Sequence, residues 1–209
     1  MNAKRISGII SIFCGIGLLA SAGGIYLYND VEDRSAAESA AARLPKVLAA
    51  IAERQDASEE SSINEQIAEI VIGTSEDESP VVNIDGEGYL GILSLPSINW
   101  ETPIMDGWDE QRLKLAPCRY YGSPATQDLV IAGHNYKRSF GKLHSMNVGD
   151  TLRFTDMDGK CYHYVVGEIE VLEATAVQPM IDSDWDLSLY TCTYGGKQRL
   201  TVRCKEEKE

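Results

Sequence analysis

Along the chain, apolar positions fall into three textures: an unbroken block near the start, a long stretch where they are sparse and helically spaced, and a series of short runs separated by Gly, Pro and Asp. The first block, "ISGIISIFCGIGLLASAGGIYLY" at residues 6–28, contains no charged residue. At a rise of about 1.5 Å per residue, a helix of this length spans a hydrocarbon core of about 30 Å. Lys4 and Arg5 precede it and Tyr26 and Tyr28 close it, so the expectation is a retained anchor with a cytoplasmic N-terminus and everything after Asp30 outside. A cleaved signal peptide is the rival, because "LLASAGG" offers small residues near Ser21. Its apolar core would normally stop after about 7–15 residues, whereas this run continues through Ile25–Tyr28.

Residues 30–88 read as an acidic, partly helical stalk. Leu44, Val47, Leu48 and Ile51 sit at helical spacing, with Pro45 expected near a helix start or a break. "DASEESS" is expected to interrupt the helix, "INEQIAEIVIG" to form a second one with Ile63, Ile67, Ile70 and Val71 on one face, and "TSEDESP" and "NIDGEG" to be loop. The segment has too few apolar positions to fold alone. One helix is therefore expected to dock on the following domain through three or four aliphatic side chains, at about 1.5–3 kcal/mol each. Bracing of the far wall is the preferred role, and gating of a site the alternative.

From Tyr89 the texture becomes β-like: "GILSLP", "ETPIMDG", "DLVIAGH", "GDTLRFTD", "KCYHYVVGEIEVLE", "LSLYTC" and "RLTVRC", with Gly, Pro and Asp between the runs. This spacing predicts an all-β, closed or nearly closed antiparallel barrel of about 120 residues. Helical pattern is confined to "DEQRLKLA" and "FGKLHSM". The expected organisation is an anchor over 1–29, a stalk over 30–88 and a barrel over 89–209.

Composition narrows the function. The net charge of −13 disfavours a nucleic-acid partner, since binders of the phosphate backbone gather Lys and Arg on one face. Cys118, Cys161 and Cys204 have no Cys-x-x-Cys spacing and no carboxylate pair fits a calcium loop, so no metal or cofactor is expected. A Cys161–Cys204 disulfide is conceivable in an extracellular compartment.

Two of the apolar runs end on reactive groups: "DLVIAGH" on His134 and "LSLYTC" on Cys192. Strand ends can meet on one rim of a barrel. A thiolate nucleophile also needs positive charge nearby, and Arg199 begins the run after the Gly195–Gly196 turn, where a hairpin would carry it back toward Cys192. Arg203 shares the strand face of Arg199 and ranks second. His144 reads as a surface or packing residue, and His163 as structural or exposed.

The "GHN" around His134, the "LYTC" ending on Cys192 and the following "RLTVR", in that order, resemble the sortases, membrane-anchored cysteine transpeptidases of Gram-positive surfaces. "GILSLPSINWETPIMDG" and "FGKLHSMNVGDTLRF" are similar to the family's opening strands and Gly-Asp turn. Tyr190 departs from the pattern, standing where small or aliphatic residues are common. The resemblance implies a closed barrel of about eight strands with short helices. It further implies Cys192 as nucleophile, His134 as general acid/base and Arg199 as the group steadying the oxyanion or the substrate backbone. The implied partners are a sorting-signal peptide of secreted surface proteins, an amine acceptor in peptidoglycan or pilin, and the membrane.

Three features bear on class. Residues 174–186 are too few for a long inserted helix, no Asp-Pro-aromatic lid occurs in residues 30–88, and "KEEKE" closes the sequence without a second span. A class D-like or unassigned anchoring sortase is the resulting expectation. The rival functions are a hydrolytic cell-surface thiol peptidase and a catalytically silent binding module. The first commonly places Cys before His, and the second needs no such trio.

Overall fold

The computed structural model describes residues 3–64 and 79–207. Nine strands follow a long N-terminal helix: β1 (Val82–Ile84), β2 (Glu87–Leu95), β3 (Trp100–Met105), β4 (Cys118–Tyr121), β5 (Leu129–Gly133), β6 (Thr151–Asp156), β7 (Cys161–Glu173), β8 (Leu187–Cys192) and β9 (Gln198–Glu206). The sheet order is β1-β2-β3-β4-β5-β8-β9-β7-β6, and β2 also pairs with β6. That last pairing closes β2 to β9 into an eight-stranded barrel and leaves β1 as an outer hairpin strand. The barrel is mostly antiparallel, but β3–β4 and β5–β8 run parallel.

The barrel interior is filled from both sides of the closure: Leu93, Leu95, Ile104, Phe154, Leu189 and Val202 are all fully buried. The β1–β2 hairpin stands where the sequence reading placed loop. Asp85 and Gly86 both take positive φ, at 55° and 86°, which is the geometry a two-residue hairpin turn requires. Strand β4, "CRYY", was likewise absent from the expected runs, because its residues alternate poorly between faces.

The helix α1 (Ala3–Asn64) is continuous, and it corrects the expected division of the stalk. Neither Pro45 nor "DASEESS" breaks it. A proline inside a helix removes one backbone hydrogen bond and costs about 3 kcal/mol. Packing on both sides of Pro45 opposes that cost: Val47 is fully buried and Ile51 nearly so, against Tyr89, Ile92, Met105 and Met157, with Ala40 and Leu44 at the edge. Leu48, expected in the same stripe, points to solvent. The face of β2 that carries Tyr89 and Ile92 is thus covered by α1 while its other face fills the barrel. This explains the uninterrupted apolar run of that strand. Most of the expected second helix, including Ile67 and Ile70, lies outside the described residues.

Along the barrel α1 runs end to end. Arg54 pairs with Asp158 and Gln55 with the Gly159 carbonyl, both in the β6–β7 turn, whereas Asp30 and Asp33 meet Arg138 in the loop after β5. Toward its N-terminus the same helix is long and apolar enough to cross a membrane.

Candidate active site

Strand β8 has a buried, inward face of Leu187, Leu189 and Thr191, which leaves Ser188, Tyr190 and Cys192 on its other face. It lies between β5 and β9. In the parallel β5–β8 register Gly133 is opposite Thr191, and Thr191 Oγ1 donates to the Gly133 carbonyl at 2.8 Å. The residues that follow this pair are His134, just past the end of β5, and Cys192, the last of β8. In the antiparallel β8–β9 register Cys192 is directly opposite Arg199. The register thus gathers the three positions at one end of the barrel, with Cys192 on the central strand.

Close approach under the strand end depends on Gly133. A Cβ there would lie 2.4 Å from Cγ of Phe140, which is itself fully buried. Phe140 belongs to the short 3-10 helix Phe140–Ser145, the place where "FGKLHSM" was expected to be helical. The other expected helical stretch is the 3-10 turn Arg112–Lys114.

His134 is half-buried, and its Nε2 has no hydrogen-bond partner among the described residues. Burial lowers the pKa of its imidazole below the ordinary 6.5. Glu32 and Glu110 act in the opposite sense, and Lys114 adds to the lowering. The ring is therefore neutral at neutral pH and ready to accept a proton. The Tyr136 ring lies against it, with centroids 4.9 Å apart. Arg199 is half-buried, and its Nη1 donates to the carbonyls of Gly196 and Gln198, each at 3.2 Å. These bonds hold the guanidinium over the β8–β9 turn.

Arg203, the second-ranked arginine, sits four residues further along β9, opposite Ser188, and is only 2% exposed. Its guanidinium donates to Glu170 Oε1, Ser188 Oγ and the Pro179 carbonyl at 2.8, 2.8 and 2.6 Å. Every side of it is occupied, and it tacks the short helix α2 (Val177–Ile181) onto the sheet. The remaining thiols separate in the same way. Burial raises Cys118 to about 12, and buried Cys204 is also pushed upward. Cys161 is exposed, while Cys204 is sealed in the core, and all are free thiols, so the conceivable Cys161–Cys204 bridge is not formed. His163 is exposed on β7, and exposed His144 stacks on Tyr194 with centroids 5.4 Å apart.

Tyr190 stands on the outer face one pair below Cys192. It meets Tyr120 edge-on at 5.5 Å, and with Trp108, Val177, Met180 and Arg199 it lines a cavity of about 170 Å³. Nothing in the sequence pattern marks this cavity. Trp108 and Tyr120 lie in segments with no strand periodicity, so only the β3–β4 and β5–β8 crossings bring them to Tyr190.

A sequence profile described as the Sortase domain matches residues 93–207. Among solved structures, sortase C1 from Streptococcus agalactiae is 28% identical with a TM-score of 0.53, covering 61% of this chain and 72% of the other. Sortase C from Streptococcus pneumoniae (24%, TM-score 0.53, 77% and 90%) and a Clostridium perfringens sortase D5 transpeptidase (22%, TM-score 0.51, 57% and 79%) share the fold. A comparison with curated protein sequences found no match. With the domain match spanning more than half the chain over the very strands that converge on Cys192, the protein belongs to the sortase family of cysteine transpeptidases, which anchor or polymerise surface proteins.

Proposed function

We propose that Cys192, His134 and Arg199 carry out acyl transfer on a sorting-signal peptide at the outer face of the membrane. The observation that carries this reading is the register of three strands: Cys192 pairs with Arg199 on β9, and the Gly133–Thr191 pairing puts His134, the residue after the end of β5, next in line with Cys192. Cys192 Sγ attacks the carbonyl carbon of a Thr–Gly-type bond while His134 takes the thiol proton. The imidazolium returns that proton to the leaving amine as the C–N bond breaks, leaving a thioester. An incoming amine from peptidoglycan or a pilin then attacks the thioester, loses its proton to His134 and expels the Cys192 thiolate, which His134 reprotonates. Arg199 donates to the oxygen that becomes negative in both steps, a contribution of about 3–4 kcal/mol for a well-aimed donor. The cavity beside Tyr190 and Arg199 supplies an apolar wall for a residue of the signal upstream of the scissile bond.

Lys4 and Arg5, ahead of the apolar run, support a cytoplasmic N-terminus with the barrel outside. The short α2 insertion and the lack of an Asp-Pro-aromatic motif in residues 30–88 favour a class D-like enzyme. The test is turnover by the full chain in detergent of a fluorescent peptide library with and without an added amine. Amine-dependent ligation product is expected. Hydrolysis alone would point to a peptidase, and no cleavage of any peptide to a binding module.

A further inference from the structure

Asp33 is out of character with its surroundings. It lies in a solvated, acid-rich turn of α1, yet it is only 4% exposed. A carboxylate is buried at high cost unless it is paired and hydrogen-bonded. Its partner is Arg138, four residues after His134: Oδ1 accepts the Arg138 backbone N–H at 2.9 Å and Oδ2 accepts Nη1 at 2.7 Å. The same guanidinium reaches Asp30 at 3.3 Å. One residue away on the helix, Glu32 accepts the Tyr136 hydroxyl at 3.3 Å, and it is the Tyr136 ring that lies on His134. A single turn of α1 therefore grips the segment after His134 at a backbone amide and at two side chains. The imidazole itself gains no such restraint at Nε2.

We propose that the Asp33–Arg138 clasp, with Glu32 and Tyr136, makes α1 a positioning element for His134. The proposal rests on reading His134 as the proton-transfer group. Asp33 and Glu32 touch no reacting atom. They fix where the imidazole stands relative to Cys192, and a displacement of about 1 Å in such a group costs on the order of 10²-fold in rate. Bracing the barrel is a separate task, carried by Val47 and Ile51 on the β2–β3 wall.

The test compares Asp33→Ala, Asp33→Asn and Val47→Ala in the full-length protein in detergent. Asp33→Ala is expected to lower kcat by about ten- to a hundredfold with the peptide KM within about twofold. Asp33→Asn, which still accepts the Arg138 backbone N–H, should fall between it and the parent, and it carries the comparison alone should Asp33→Ala not fold. Val47→Ala should lower Tm and leave kcat unchanged. Unaltered kcat in both Asp33 variants overturns the proposal, as does an equal loss in Val47→Ala. The NMR signal of His134 Cε1 gives a readout independent of turnover and should shift or broaden in both Asp33 variants. An unmoved signal overturns the clasp. A signal that moves in both Asp33 variants when the parent protein itself transfers nothing supports the clasp and sinks only the acyl-transfer reading.

Discussion

At the scale of single residues, the four thiols of the folded domain and the two arginines of β9 divide by burial. Cys192→Ala removes one sulfur at the rim and should abolish turnover while leaving Tm within about 1–2 °C, because surface-like substitutions stay within about 0.5 kcal/mol. Unchanged activity would remove Cys192 from the mechanism. Arg199→Ala should reduce kcat by about 10²–10³-fold, the cost of losing one oxyanion donor. Iodoacetamide mapped by mass spectrometry should modify exposed Cys161 but leave Cys118 and Cys204 intact until the protein unfolds, since burial raises both thiols. For His134 the sign runs toward acid. Its folded pKa is lowered below the ordinary 6.5, so the neutral form contributes stability above that value, and the contribution is lost as pH falls through the folded pKa. An NMR titration midpoint at or above 6.5 would contradict this.

Among elements, the end of β5 and the body of α1 make opposite demands. Gly133 permits Phe140 to lie under the strand end, so Gly133→Ala should cost about 1–3 kcal/mol of stability by overpacking, and activity should fall with it as the neighbouring His134 is displaced. Pro45 sits inside a helix that tertiary packing holds together. Pro45→Ala should therefore raise stability by about 1–2 kcal/mol, the restored hydrogen bond outweighing the added freedom of the unfolded chain. A fall in Tm for that variant would mean that Pro45 is needed for the packing of α1 in the groove near Trp100.

For the whole molecule, the unbroken helix ties the apolar N-terminal run to one end of the barrel. Five residues separate Tyr28 from Asp33, about 8 Å along the axis, while Arg54 lies about 39 Å from Tyr28 at 1.5 Å per residue. If residues 6–28 sit in a bilayer, the rim bearing His134 and Cys192 is expected to face the membrane and the β6–β7 turn to point away. A dye on Tyr194→Cys should therefore transfer energy to a membrane acceptor more strongly than one on Asp158→Cys, both in a background with the native thiols replaced by Ser. Equal transfer from both sites would refute this orientation.

The sequence alone determined what depends on local pattern. The uncharged run of residues 6–28, the alternating strands and the strand-end placement of His134 and Cys192 follow from hydropathy period and turn residues, which report on near neighbours. The Asp85–Gly86 turn is equally a matter of local sequence, since Asp-Gly suits a two-residue hairpin turn. Other features required the fold, because their partners are far apart in sequence. Arg199 and Arg203 look alike on one strand face, and only the cover of α2 with Glu170 and Ser188 makes one structural and leaves the other at the rim. Asp33 is indistinguishable from its acidic neighbours until Arg138 arrives from 105 residues away to bury it. Propensity alone would end α1 at Pro45, but burial of Val47 and Ile51 against the barrel outweighs that local preference.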